Sequence, residues 1–144
     1  MKKMKKKLLA ALYILSIIAL YCTTTSVNEQ NVQKELLKRA ESIKKNRNSV
    51  YILDNKTVGE NGYFYILRSN GKISYHPKKA LIDVDFSAFP FVKKILMERN
   101  GCILVQAEGV SRYIFFREID KDEILCLTID KDEFKEAVTE CYSG

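Results

Sequence analysis

The chain has 144 residues, 47% of them hydrophobic and 29% charged, with a formal net charge of +6 and a single histidine. Five of its 24 basic residues (Lys2, Lys3, Lys5, Lys6 and Lys7) lie in the first seven positions, which leaves 19 against 18 acidic residues over the remainder. That near-neutral balance removes the electrostatic case for nucleic-acid binding, and the remaining length suits one domain with one modest core.

Met1 to Lys7 forms a lysine-rich n-region, and Leu8 to Tyr21 is a run of fourteen residues interrupted only by Ser16. A signal h-region runs to about 15 residues, whereas a spanning helix needs about 20. Residues 1–21 therefore read as a signal peptide. Cys22 follows Ile18-Ala19-Leu20-Tyr21 and precedes the polar Thr23 to Ser26, an arrangement that resembles a bacterial lipobox, with Tyr21 where a small residue is usual. Cys22 is thus the expected lipidation site, and residues 22–27 carry it on a short tether. The alternative is a cysteine at the end of an uncleaved anchor. In both cases residues 28–144 are expected as a single exported domain, membrane-anchored and facing the periplasm or the cell exterior.

Ser26 and Glu29 have the spacing of a capping box, and Val32, Leu36, Arg39/Ala40 and Ile43 recur at helical intervals. An amphipathic helix is expected over residues 28–46. Its narrow apolar stripe suits packing on a sheet or pairing with a second copy. Val50 to Leu53 reads as a short strand or extended connection. Gly59 and Gly62 then allow a sharp turn into Tyr63–Leu67, a run of aromatic and branched residues that fits a half-buried pleated surface. Asn70-Gly71 is a type I′ hairpin signal, and the second strand stops at His76-Pro77, where proline removes a backbone donor.

Lys78 to Phe89 lacks clean periodicity but carries Phe86 and Phe89, and is expected to pack down as a lid. Pro90 suits the first turn of a helix that Asn100-Gly101 ends. Three strands follow, Cys102–Gln106, Ser111–Glu118 and Glu123–Ile129, and then a last helix capped by Asp130 and Glu133, with Phe134, Val138 and Cys141 on one face. This order of elements gives an α+β fold with an antiparallel sheet. Beyond Cys22 the three cysteines Cys102, Cys126 and Cys141 leave at least one thiol unpaired. No C-x-x-C pair, EF-hand loop, P-loop or nucleophile elbow occurs in the sequence. No cofactor, metal or enzymatic activity is therefore expected.

Gly59 to Pro77 resembles the opening of a Cache domain, the extracytoplasmic sensor module of bacterial receptors. The family pattern is G-x-x-G-Y, a strand ending in a leucine-aspartate-like pair, two variable residues, a glycine, a second strand and histidine-proline. Gly59, Gly62, Tyr63, Tyr65, Ile66, Leu67, Gly71, Ile73, His76 and Pro77 match it. Arg68 stands where the family has an acid or amide, so the turn must rely on Asn70. A weaker likeness continues from Phe86 to Phe134. The resemblance implies a PAS-like five-stranded antiparallel sheet in spatial order 2-1-5-4-3, with the long N-terminal helix on one face. The loop after His76-Pro77 and the short helix would cover the other face, with a ligand pocket beneath them.

Within that frame the candidate ligand-binding residues are Tyr65, His76, Tyr113, Phe115 and Arg117. Period-2 alternation puts Tyr113, Phe115 and Arg117 on one side of their strand. An arginine beside two aromatic rings can clamp a small carboxylate, although core packing is the default role for such rings. The expected function is a membrane-anchored extracytoplasmic sensor that binds a small organic acid or amino acid. The alternative is a structural or interaction lipoprotein whose Cache-like core is filled. No second apolar run of spanning length follows Ile129. Any signal is therefore expected to pass through a separate partner, or through homodimerisation along Val32, Leu36 and Ile43.

Overall fold

In the computed structural model residues 27–139 and 141–143 are described; the expected signal peptide, Cys22 and Ser26 lie outside them. The first helix, α1 (Glu29–Lys45), starts at Asn28, whose side-chain Oδ1 accepts the N–H of Asn31 at 2.8 Å. That bond satisfies one of the amides a helix start leaves unpaired. Val32, Leu36, Ala40 and Ile43 form its buried stripe. The sheet covers this stripe, so it is not available for pairing with a second copy. Asn46 ends the helix, and its side chain accepts the amide of Asn48 at 3.0 Å. This capping bond starts a 3-10 helix, Arg47–Leu53, where an extended segment was expected over Val50–Leu53.

Seven strands make the sheet: β1 (Thr57–Val58), β2 (Gly62–Arg68), β3 (Ile73–Tyr75), β4 (Gly101–Ala107), β5 (Val110–Asp120), β6 (Glu123–Asp130) and β7 (Tyr142–Ser143). Their path is β1-β2-β6-β5-β4-β7, with β3 also pairing β2. The five longer strands thus take the expected order, here β3-β2-β6-β5-β4, all antiparallel. Two-residue strands extend the edges: β1 is antiparallel to β2, and β7 is parallel to β4. The fold is α+β.

The β2–β3 turn differs in type from the expected one. Among the described non-glycine residues, positive φ occurs at Asn55, Asp83, Arg99 and Glu108, so Asn70 is not left-handed, whereas Gly71 has φ +83°. The Gly71 N–H donates to Arg68 O at 2.9 Å and the Arg68 N–H to Lys72 O at 2.8 Å. This is a longer loop with a single left-handed residue at its end, not a two-residue type I′ turn. Asn70 Oδ1 accepts the amide of Lys72 at 3.1 Å, while Arg68 pairs with Asp83 at 2.6 Å.

The second helix, α2 (Pro90–Glu98), has Pro90 in its first turn and ends at Arg99 in the left-handed conformation, before Asn100-Gly101. The expected last helix is absent. Only Lys131–Glu133 form a 3-10 turn, because long-range contacts claim the residues that would have built a helix. The Glu133 carboxylate accepts the amides of Glu60 and Asn61 at 2.7 and 2.9 Å. The Phe134 ring lies 5.3 Å from Tyr113 and 5.9 Å from Phe115. Thr139 donates its amide to Glu29 at 3.0 Å, and Cys141 forms a disulfide with Cys102. The C-terminal segment is a strap across the α1 side of the sheet. No helix of the described residues is long and apolar enough to cross a bilayer.

Candidate ligand site

The sheet face away from α1 is roofed by the chain that follows His76. This roof is pinned by backbone bonds: Ile73 donates to Val84 at 3.2 Å, Asp83 to Ile73 at 2.8 Å and Phe86 to Gly71 at 2.9 Å. Phe86, Phe89 and Phe91 run along it with ring centroids 5.6 and 5.7 Å apart. Val92 and Ile95 of α2 are buried beneath. Between roof and sheet lies a cavity of about 190 Å3, the size of space that in protein interiors holds a ring-sized molecule.

Sheet register orders the lining. Tyr63, Thr128 and Ile114 occupy one cross-strand row of β2, β6 and β5. Tyr65 lies one row deeper, opposite Cys126, and Leu67 one row beyond that. In the other direction from Tyr63 comes the row of Asp130, Arg112 and Val105. The cavity therefore runs from a polar end to an apolar end. Arg112, Tyr63, His76 and Gln106 stand towards the first, and Leu67, Ile73 and Val92 line the second.

At the polar end Arg112 Nε donates to Asp130 Oδ1 at 2.9 Å. This cross-strand bond fixes the guanidinium plane, and no bond ties its two Nη groups to a described residue. The His76 ring stands edge-on to Tyr63 at 5.1 Å and 6.0 Å from Tyr65. Its Nδ1 accepts the Lys78 amide at 2.9 Å, so in the neutral ring the hydrogen sits on Nε2. Burial holds His76 below the usual histidine range, and the positive charge of Lys78 acts in the same direction. Burial also raises the Tyr65 phenol well above its ordinary value, and the neighbouring Cys126 acts in the same direction. The Cys126 thiol is pushed up to about 12 by its burial. Both groups are neutral at ordinary pH. Among the described residues no three His, Cys, Asp or Glu side chains converge as metal ligands would.

Of the five residues named from sequence, the structure brings Tyr65 and His76 together at the cavity. It does not place the other three there. Tyr113 and Phe115 are buried on the opposite face, against α1 and Phe134. Arg117 is exposed in a groove beside α1, near Gln33 and Lys34. The alternation along β5 was correct, but the face meeting the cavity is that of Arg112 and Ile114. Sequence reasoning missed Arg112, Tyr63, Gln106 and Thr128. The usable signal was the pairing of Arg112 with Asp130, opposite charges at matched positions of adjacent strands.

No family model matches the chain, and no curated protein matches it in sequence. Solved structures do. The extracellular domain of mmHK1S-Z3, a protein assigned as a histidine kinase, is 17% identical with a TM-score of 0.51, over 65% of this chain and 36% of that one. The corresponding domain of mmHK1S-Z2 gives the same identity and TM-score, over 65% and 38%. The ligand-binding domain of the Pseudomonas aeruginosa PAO1 amino acid chemoreceptor PctB, in complex with L-Arg, is 23% identical at a TM-score of 0.46, over 65% and 41%. The chain thus spans little more than a third of the length of the two kinase domains. The fold it shares with them is Cache-like, with the PAS-type strand order described above.

Proposed function

We propose that this Cache-like domain is an exported, membrane-anchored sensor module whose cavity binds a small extracellular carboxylate, an organic acid or an amino acid. The observation that carries the reading is Arg112. Its guanidinium is oriented by Asp130 at the lip of an apolar cavity, with its Nη donors directed to no described residue. Arginine offers paired donors that match a carboxylate, and an apolar floor strengthens that bond by excluding water. A filled interior would have favoured the scaffold reading; an open cavity with polar groups at one end supports binding. The groups at hand do not form a catalytic set. The one histidine has its Nδ1 committed to a backbone amide, and the neighbouring hydroxyls and thiol are neutral. With the α1 stripe covered by the sheet, we assign the readout of the bound state to a separate signalling partner. Copurification from solubilised membranes tests that assignment.

The binding reading is tested by thermal-shift screening of residues 23–144 against small metabolites. A ligand that binds only the folded state, at a hundred times its Kd, adds about 2.7 kcal/mol of stability. A carboxylate that raises the melting temperature of the wild type but not of Arg112→Ala supports the assignment. A panel of organic acids and amino acids that shifts neither protein would return the domain to a scaffold role.

A further inference from the structure

We infer that the cavity selects a monocarboxylic acid with an uncharged branched or aromatic tail over the matching α-amino acid, because its lining offers one guanidinium and no carboxylate. The inference rests on the carboxylate reading above and narrows it to one chemical class.

The described lining contains fifteen residues, and Arg112 is the only fixed charge among them. The acid nearest by register, Asp130, is not part of the lining, and its Oδ1 already accepts from Arg112 Nε. A carboxylate placed at the free Nη donors would carry an α-ammonium, if it had one, into the same polar end. There the ammonium would meet the like charge of Arg112 and the Nε2–H of His76, itself a donor. Among the lining side chains the acceptors on offer are the oxygens of Tyr63, Tyr65, Gln106 and Thr128 and the tyrosine rings. Such contacts recover a fraction of the desolvation cost of a cation for which the lining holds no carboxylate, the nearest acid, Asp130, being already paired with Arg112. A site that recognises a zwitterion supplies an acid for the ammonium as well as a base for the carboxylate; this lining supplies the base alone.

The tail is set by the opposite end. Leu67, Ile73 and Val92 are 0%, 4% and 3% exposed, and Phe86, Phe91 and Ile114 complete an apolar wall. A dry cavity of about 150 Å3 holds a benzene ring, so the observed 190 Å3 takes a ring or a branched chain with its carboxylate pointing to Arg112. Acetate-sized acids would leave the apolar end unfilled, and hydroxylated or dicarboxylic tails would bury polar groups against it without partners.

Calorimetric titration of the full chain in detergent, with deaminated and amino pairs, tests this. The pairs are 4-methylpentanoate with L-leucine and 3-phenylpropanoate with L-phenylalanine, and 4-methylpentanamide serves as the uncharged control. The expected result is that at least one deaminated acid binds about tenfold or more tightly than its amino acid. The amide should be weaker than 4-methylpentanoate by a similar factor, and Arg112→Gln should erase the difference between acid and amide. If the amino acids bind as well as or better than their partners, the inference falls while the carboxylate reading stands. Equal binding of acid and amide overturns both, whereas the absence of binding by any of the five compounds overturns the inference and leaves the carboxylate reading to the wider metabolite panel. Should Arg112→Gln fail to fold, judged by its circular dichroism melt, the wild-type series decides alone.

Discussion

His76 occupies the last position before Pro77 interrupts β3, and the structure keeps its ring neutral through burial and the nearby charge of Lys78. The consequence for stability has a definite sign. Above the ordinary histidine value, about 6.5, the ring is neutral in both the folded and unfolded chain, and nothing is lost. As pH falls below that value the unfolded chain takes up a proton that the folded domain resists, so stability declines until the folded group titrates. The melting temperature of the wild type should therefore fall more steeply between pH 7.5 and pH 5 than that of His76→Gln. Parallel melts of the two proteins in one buffer series read this, and parallel curves would show that His76 is not held neutral. The residue scale also marks where sequence stops being informative. Tyr65 and His76 could be placed because both belong to one local hairpin. Arg112 could not, since which face of β5 meets the cavity depends on pairing with β6 and, through it, with β2.

At the scale of elements, signals contained within a few residues were legible, and signals that depend on distant partners were not. Helix α1, the five longer strands and the proline-led α2 follow from periodicity and breakers. Gly71 was correctly singled out, although the loop around it has another form. A Cβ at Gly71 would sit 2.5 Å from Ser87 Cβ and 2.7 Å from its Cα, and the backbone there is left-handed at φ +83°. Strain and overpacking together predict that Gly71→Val costs about 2–4 kcal/mol. Urea denaturation measures it, and coincident midpoints would refute the assigned loop. In the C-terminal strap Asp130, Glu133, Phe134 and Val138 carry a helical pattern. Contacts to Glu60, Asn61, Glu29 and Cys102 override that local preference. The Cys102–Cys141 bond closes a sequence separation of 39 residues, for which chain entropy gives an upper figure of about 4 kcal/mol. Cys141→Ser should thus lower the urea midpoint measurably, and reductant should lower that of the wild type but not of the variant. Identical midpoints with and without reductant would mean the disulfide contributes nothing.

For the whole molecule the decisive question is where the domain is held, and charge and hydropathy bear on it together. The +6 net charge depends largely on five lysines ahead of an apolar run, so the basic character is concentrated in the first seven residues of the sequence. That run is of signal length and ends at Cys22, with polar residues immediately beyond. Five peptide units separate Cys22 from Val27, where the described fold begins. At about 3.4 Å each they span at most about 17 Å. A lipid on Cys22 would therefore hold the start of α1 close to the bilayer surface. The same end of the fold contains the Val27–Phe134 bridge and the bond from Thr139 to Glu29, so strap and helix start would share that position. We expect the wild type to incorporate a fatty acid in metabolic labelling and to fractionate with membranes. Cys22→Ser should lose the label completely and accumulate as an unprocessed precursor. A single chain gives only marginal attachment, so a lipidated protein that washes off membranes in high salt would point to one chain where stable anchoring needs more than one. An unlabelled wild type would remove the lipid from Cys22.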